Sequence, residues 1–284
     1  ERRSLRKRLA KFDAHLAYDT VTAGALKGYF DGPVPVLQGG YWPAQWPEVE
    51  RDWNSDRFGF CMVGQLAGRK DPFVAIQAFH ELKQEYPDEF EGAEFHLKTA
   101  VGGLHPRLEE MIPKLRVHYA SWPKDVLEQF YSKQHVLIST SRGEGKNMPA
   151  LEFMSTGGTV IATNWGGHTQ WMNSAYAYPL DYVLRPVDES DRHRECLNAR
   201  ASKEHLKQLM LHVYRNRAEA RAKGALAART IPGMCSWETV VERLFDTFLR
   251  HRVHGARELK TRAHIARSEV EALKQEPVDD FVAS

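Results

Sequence analysis

Cysteine is scarce: Cys61, Cys196 and Cys235 are the only three in 284 residues, and no Cys-x-x-Cys spacing occurs, which excludes a disulfide framework and a zinc ribbon. A reduced, cytoplasmic compartment is therefore expected. An excess of charge of one sign is lacking too. With 39 basic and 37 acidic residues the formal charge is +2, which argues against a protein that coats a polyanion, so no nucleic-acid partner is expected. No run approaches the roughly 18 to 20 apolar residues that span a bilayer, so no transmembrane segment is expected. The thirteen histidines form no His-Glu-x-x-His motif, and there is no Asp-x-Asp pair to hold a divalent metal on a phosphate. No metal site is expected. The opening ERRSLRKRLAKF, headed by Glu1, lacks the apolar core of a signal peptide, and a longer chain upstream is expected.

What is present is an alternation of patterns. Leu5, Leu9, Phe12 and Leu16 recur at helical spacing through residues 1–17, with Arg2, Arg3, Arg6, Lys7, Arg8 and Lys11 on the remaining faces. This basic face reads first as solvated and second as a contact for a membrane surface. Residues 32–53 hold four prolines, Gly39-Gly40 and three tryptophans without periodicity, the pattern of an interdomain connection. Beyond it, strand-like runs at 58–63, 93–98, 115–119, 135–140 and 159–163 alternate with helical patterns near 72–86, 105–113, 124–133 and 149–156. That order predicts an α/β fold with a parallel sheet covered on both faces. Residues 202–228 and 237–274 read as charged helices, with a break expected at Ile231-Pro232-Gly233 and a frayed end at 276–284.

In such sheets ligands lie beyond the carboxyl ends of the strands. After the first strand comes Gly64-Gln65-Leu66-Ala67-Gly68-Arg69-Lys70-Asp71-Pro72, where paired cations at a helix start suit a phosphate or, equally, a solvated turn. After the fourth comes Ser141-Arg142-Gly143-Glu144-Gly145-Lys146-Asn147-Met148-Pro149, with Pro149 suited to a first helical turn and Glu152 about one turn into the helix. Glu144 suits sugar hydroxyls and Glu152 a ribose, since an ionised carboxylate offers two acceptor oxygens. The backbone N–H groups of Lys146 to Met148 suit a phosphate. Met148 stands where a dinucleotide fingerprint needs its third glycine, and Asn147 where a P-loop needs Ser or Thr, so neither a nicotinamide cofactor nor an ATP-type loop is expected.

The stretch EGKNMPALEFMSTGGTVIATNWGG (144–167), together with Val63-Gly64-Gln65-Leu66 and Lys70 and the late Ser236-Trp237-Glu238, resembles the donor-binding domain of retaining GT-B glycosyltransferases of family 4. Its E-x7-E motif stands as Glu144 to Glu152. The resemblance runs from Phe60 to Phe248. It implies a GT-B fold: residues 1–57 as the end of the amino-terminal, acceptor-side domain plus linker, with His15–Asp19 as its last strand. Residues 58–235 become a Rossmann-like nucleotide-sugar domain, and 236–284 carboxy-terminal crossing helices. It implies a sugar transfer from a nucleotide-diphosphate sugar to a sugar, lipid or protein acceptor, without a cofactor or metal. Glu144 and Lys70 become the catalytic candidates, and Gly64, Arg69, Lys70, Glu144, Lys146, Asn147, Met148 and Glu152 the donor-binding set. The family's arginine is Gln65 here and its aromatic-glycine pair is Lys146-Asn147, so Arg69 or Lys146 is the expected replacement for the lost cation. A non-catalytic nucleotide-sugar-binding or partner-binding module, and a nucleotide-sugar epimerase, are the rival readings.

Overall fold

A strand covered on both faces has no solvent side and needs no alternation, and the apolar runs of this chain become such strands. The computed structural model describes residues 2–12, 15–65, 68–100, 108–187 and 197–250, with Thr261 and His264. Strands β1 (Phe58–Val63), β4 (Val136–Ser139) and β5 (Thr159–Thr163) are buried along their whole length. Strand β2 (Ala93–Thr99) alternates instead, burying Phe95 and Leu97 and leaving Glu94, His96 and Lys98 half-buried. With β3 (Leu115–Tyr119) and β6 (Tyr178–Leu180) they form a six-stranded sheet in the order β3-β2-β1-β4-β5-β6. Every pairing in it is parallel. The chain builds outward from β1 to β3, then returns to the other side of β1 at β4, so the switch point lies between β1 and β4.

Because side chains alternate along a strand, the core divides in two. On one face Phe60, Met62, Phe95 and Leu97 pack with Phe79 of α3 (Pro72–Glu85) and Leu206 of α7 (Lys203–Arg215). On the other, Cys61, Val63, Leu137 and Val160 pack with α5 (Lys124–Ser132), α6 (Met148–Ser155) and α8 (Arg217–Cys235). Helix α8 crosses the end of α6 so closely that a Cβ on Gly224 would meet the Gly157 carbonyl at 2.3 Å.

Several features depart from the sequence pattern. Helix α8 runs through Ile231-Pro232-Gly233 instead of breaking there, since Ala227, Ile231 and Cys235 bury one helical stripe in the core. That burial offsets the roughly 3 kcal/mol that an interior proline costs. The helical run at 202–228 is divided at Asn216, whose φ is −113°. After β6 an antiparallel hairpin of β7 (Tyr182–Pro186) and β8 (Leu197–Ala201) was not foreseen, because β7 is mostly exposed and carries no apolar alternation. Helix α1 (Arg2–Leu9) stops short of Phe12, and a second helix, α2 (Thr20–Lys27), follows, capped by Asp19 Oδ1 accepting from Thr22 N at 2.8 Å. The strand expected at His15–Asp19 is a single bridge, Ala17 to Val36, over a small cluster with Ala23 and Val34. Of the helix expected at 105–113, α4 (Leu108–Met111) is described. Of the run from Trp237, α9 (Trp237–Arg250) and the helical Thr261 and His264 are described. Leu66, Ala67, Cys196, the rest of 251–274 and the tail 276–284 lie outside the described residues.

The irregular stretch 32–53 is fastened to the sheet domain by backbone carbonyls. Tyr41 N donates to Cys235 O and Trp237 N to Tyr41 O, both at 3.1 Å. Arg51 is buried, with its Nε on Gln134 O at 2.8 Å, Nη2 on Thr156 Oγ1 at 2.5 Å and Nη1 on Thr156 O. Burial pulls this guanidinium down to about 10, still charged at neutral pH. Removing it strands several buried acceptors at about 1–3 kcal/mol each. Arg51→Ala is therefore expected to lose about 3–5 kcal/mol in urea unfolding. Arg57→Ala, which removes an exposed pair with Glu94 at 2.6 Å, should lose no more than about 1 kcal/mol. Equal losses would contradict the assignment.

Candidate functional site

The two loops singled out in the sequence leave the sheet on either side of the switch point. The first begins at Gly64, whose φ of +139° only glycine adopts without strain, and a short turn at 68–70 then carries Arg69 and Lys70 to the start of α3. The second leaves β4 at Thr140. Backbone and hydroxyl contacts lock them together: Arg142 N donates to Arg69 O at 2.8 Å, and Thr140 Oγ1 to Asp71 O at 2.8 Å. Arg142 Nε donates to Asp71 Oδ2 at 2.7 Å, with Arg200 of β8 at 3.9 Å from the same oxygen. The hairpin is tied in as well, by Ala199 N on Arg142 O at 3.0 Å.

At the centre, the Glu144 carboxylate lies 2.6 Å from Lys70 Nζ and 3.0 Å from Arg69 Nη1, with its side chain only 6% exposed. Burial alone would raise its pKa, but the charge and contact of Lys70, with Arg69, reverse that and hold the carboxyl below the ordinary range. Arg69 also bonds Ser141 Oγ at 3.2 Å and the Gly143 carbonyl. Glu152 has the opposite environment. It sits on α6 against α5, where Tyr131 OH donates to it at 3.3 Å, and burial pushes it up to about 7 despite that bond. Burial also keeps the Tyr131 phenol well above its usual range, so it remains a donor.

Lys146 turns elsewhere. Its Nζ is buried 5.8 Å from the Tyr41 ring centre without a hydrogen-bond acceptor, and burial lowers its pKa, with Cys235 opposing. Of the two cations considered as replacements at this site, Arg69 therefore reaches Glu144. Asn147 occupies the left-handed region, φ 65° and ψ 67°, just before α6, and Met148 opens the helix, where no preceding turn supplies acceptors for its first N–H groups. The sequence did not single out Tyr131, Asp71, His168 or Gln38, which hold these residues from other elements. Gly166-Gly167 was the visible trace, since a Cβ on Gly167 would meet the Gly145 carbonyl at 1.9 Å. A groove of 490 Å³ lined by Glu94, His96, His118 and Trp122 lies apart and includes none of the donor-site candidates.

Residues 57–189 match the family model of the Glycosyl transferases group 1. Among solved structures, sucrose-phosphate synthase from Thermosynechococcus elongatus is similar with a TM-score of 0.61 at 15% identity, covering 83% of this chain. A glycosyltransferase from Rickettsia africae gives 0.65 at 14% identity over 88% of this chain. The HepE protein of Anabaena, solved in complex with UDP and glucose, gives 0.61 at 13% over 83%. The chain spans 57%, 68% and 62% of these three structures and 45% of TarM. No curated protein matches in sequence. The fold is that of the carboxy-terminal half of GT-B glycosyltransferases. No helix among the described residues is long and apolar enough to cross a membrane.

The raised Glu152 pKa has a testable consequence. A carboxyl whose pKa is raised on folding stabilises the fold below its unfolded value, near 4.3, and that contribution is lost as pH rises through about 7. Glu152→Gln removes the ionised state and should be more stable than the parent at pH 8, on the order of 2 kcal/mol, with the advantage gone below about pH 4.5. Thermal unfolding across pH 4 to 8 measures this, and parallel curves would refute it.

Proposed function

We propose that this chain is the donor-side half of a retaining glycosyltransferase that moves a sugar from a nucleotide-diphosphate sugar to an acceptor. The observation that carries the reading is the Glu144 carboxylate held between Lys70 and Arg69 at the switch point of a GT-B sheet. As the anomeric carbon–oxygen bond breaks, its electron pair passes to the diphosphate, and fixed cations stabilise that growing charge. Lys70, just past Gly64, is assigned to the diphosphate, with Arg69 in the place that Gln65 leaves empty. Backbone N–H groups at Asn147 and Met148 add the favourable end of the α6 dipole. Glu144 is assigned to hydroxyls of the transferred sugar and Glu152, ionised, to the ribose hydroxyls. The reading assigns no metal or cofactor. The acceptor site and a cytoplasmic location, with α1 against a membrane surface, belong to the same proposal. The rival non-catalytic module is disfavoured by Arg69, whose guanidinium already stands beside Glu144.

The division of labour is tested by calorimetry with UDP, GDP and ADP and their glucose conjugates, and by turnover of the donor. Glu152→Ala should weaken free nucleotide and sugar donor alike, about tenfold, whereas Glu144→Ala should weaken the sugar donor more than the free nucleotide. Lys70→Ala should reduce turnover more than donor affinity, because its charge matters most as the leaving group gains charge. Equal losses of both ligands in both glutamate variants would refute the assignment. A product formed from donor alone, without acceptor, would favour the epimerase.

A further inference from the structure

His168 stands on the turn 166–170 after β5, wholly buried, and takes no part in the roles assigned above. Its Nδ1 lies 2.7 Å from Thr163 O, an atom that only accepts, so Nδ1 carries the proton and Nε2 presents a lone pair. Asn147 Nδ2 donates to that lone pair at 2.9 Å and to Ser139 Oγ at 3.0 Å. Burial pulls the imidazole down to about 4, outweighing Glu144 and the Thr163 carbonyl, so the lone pair persists at neutral pH.

What this bond fixes is a conformation. Asn147 is in the left-handed region at the cap position of α6, and its side chain makes no capping bond there. Asparagine tolerates that region better than most residues but is not confined to it. Other bonds hold the loop as well, among them Trp171 Nε1 on Lys146 O at 2.8 Å. Gly167 N donates to Glu144 O at 2.8 Å, and Gln38 Nε2 ties Gly145 O and Gly167 O at 2.6 and 2.8 Å. Each of these ends on a backbone carbonyl, whereas the His168–Asn147 bond joins two side chains.

We propose that His168 is a positioning residue for the donor site: by accepting the Asn147 amide it locks the left-handed turn that orients the first N–H groups of α6 and keeps Glu144 beside Lys70. The ligand in this proposal rests on the donor reading, while the locking itself does not. The test is a double-mutant cycle of His168→Leu and Asn147→Gly, read by amide hydrogen exchange of residues 144–151 without ligand and by calorimetric affinity for UDP. His168→Leu should speed exchange there and weaken UDP, each about tenfold, with β1 unchanged. In the Asn147→Gly background the same substitution should change either by less than about twofold, because the partner is already gone. His168→Gln, which keeps an acceptor, should fall between and serves in the cycle if the leucine variant does not fold. Equal effects in both backgrounds would overturn the proposal, as would unchanged exchange in His168→Leu. Failure of UDP to bind the parent protein counts against the donor reading instead, and the exchange cycle still decides the role of His168.

Discussion

A carboxylate buried to 6% exposure between two cations governs the arrangement of the whole sheet end. Burying Glu144 alone would be costly, and its attraction to Lys70 and Arg69 offsets that only if both loops hold their shape. The surrounding bonds are accordingly dense: Arg142 on Arg69 and Asp71, Thr140 on Asp71, Ala199 on Arg142. A parallel sheet that reverses its direction of growth between β1 and β4 brings these two loops together, and the ion cluster fixes how they meet. The two cations are thereby held in place by the fold itself rather than left free on the surface.

Helix α6 is held at both ends by the irregular segment that precedes the sheet. Gln38 bonds the carbonyls of Gly145 and Gly167 at its amino end, while Tyr41 OH meets Ser155 Oγ at 2.5 Å and Arg51 bonds Thr156 at its carboxyl end. A segment of prolines and tryptophans whose regular structure is limited to a short 3₁₀ turn at Pro43–Gln45 and two isolated bridges thus sets the axial position of the helix that carries Glu152 and follows Asn147. Arg51 succeeds there because one planar fork satisfies several carbonyls at once, a geometry a lysine cannot supply.

The sheet was legible because buried parallel strands leave continuous apolar runs, as in FGFCMV and TVIAT, and because Pro149 and Pro72 mark helix starts. The hairpin at 182–201 was not, since strands exposed on the surface need no apolar alternation. Nor was the continuity of α8 through Pro232, where tertiary burial of Ile231 and Cys235 overrides a local breaker. At the site, Glu144 and Glu152 were legible because one loop and the helix that follows it carry both at a fixed spacing. The groups that hold them, Tyr131 and His168, come from other elements and have no fixed spacing to read. Lys146 shows the remaining limit: a cation in a promising loop is assigned a direction only by packing, and here packing turns it toward Tyr41.

Glu144 and Glu152 are the same residue eight positions apart, yet their surroundings drive them in opposite directions, one held below and one raised to about 7. The difference follows from what each faces. Two cations reward charge on the first, whereas the second meets an apolar helix contact and one phenol, which is too little to compensate burial. At neutral pH the first is therefore committed to its anionic form and the second is near balance, so a small change of environment decides its charge. A pair of hydrogen-bond donors brought against it is such a change, because donors favour the ionised carboxylate. The protein thus keeps one acidic group permanently charged to hold its cations and a second close to balance, which avoids the cost of maintaining two buried anions at one end of the sheet.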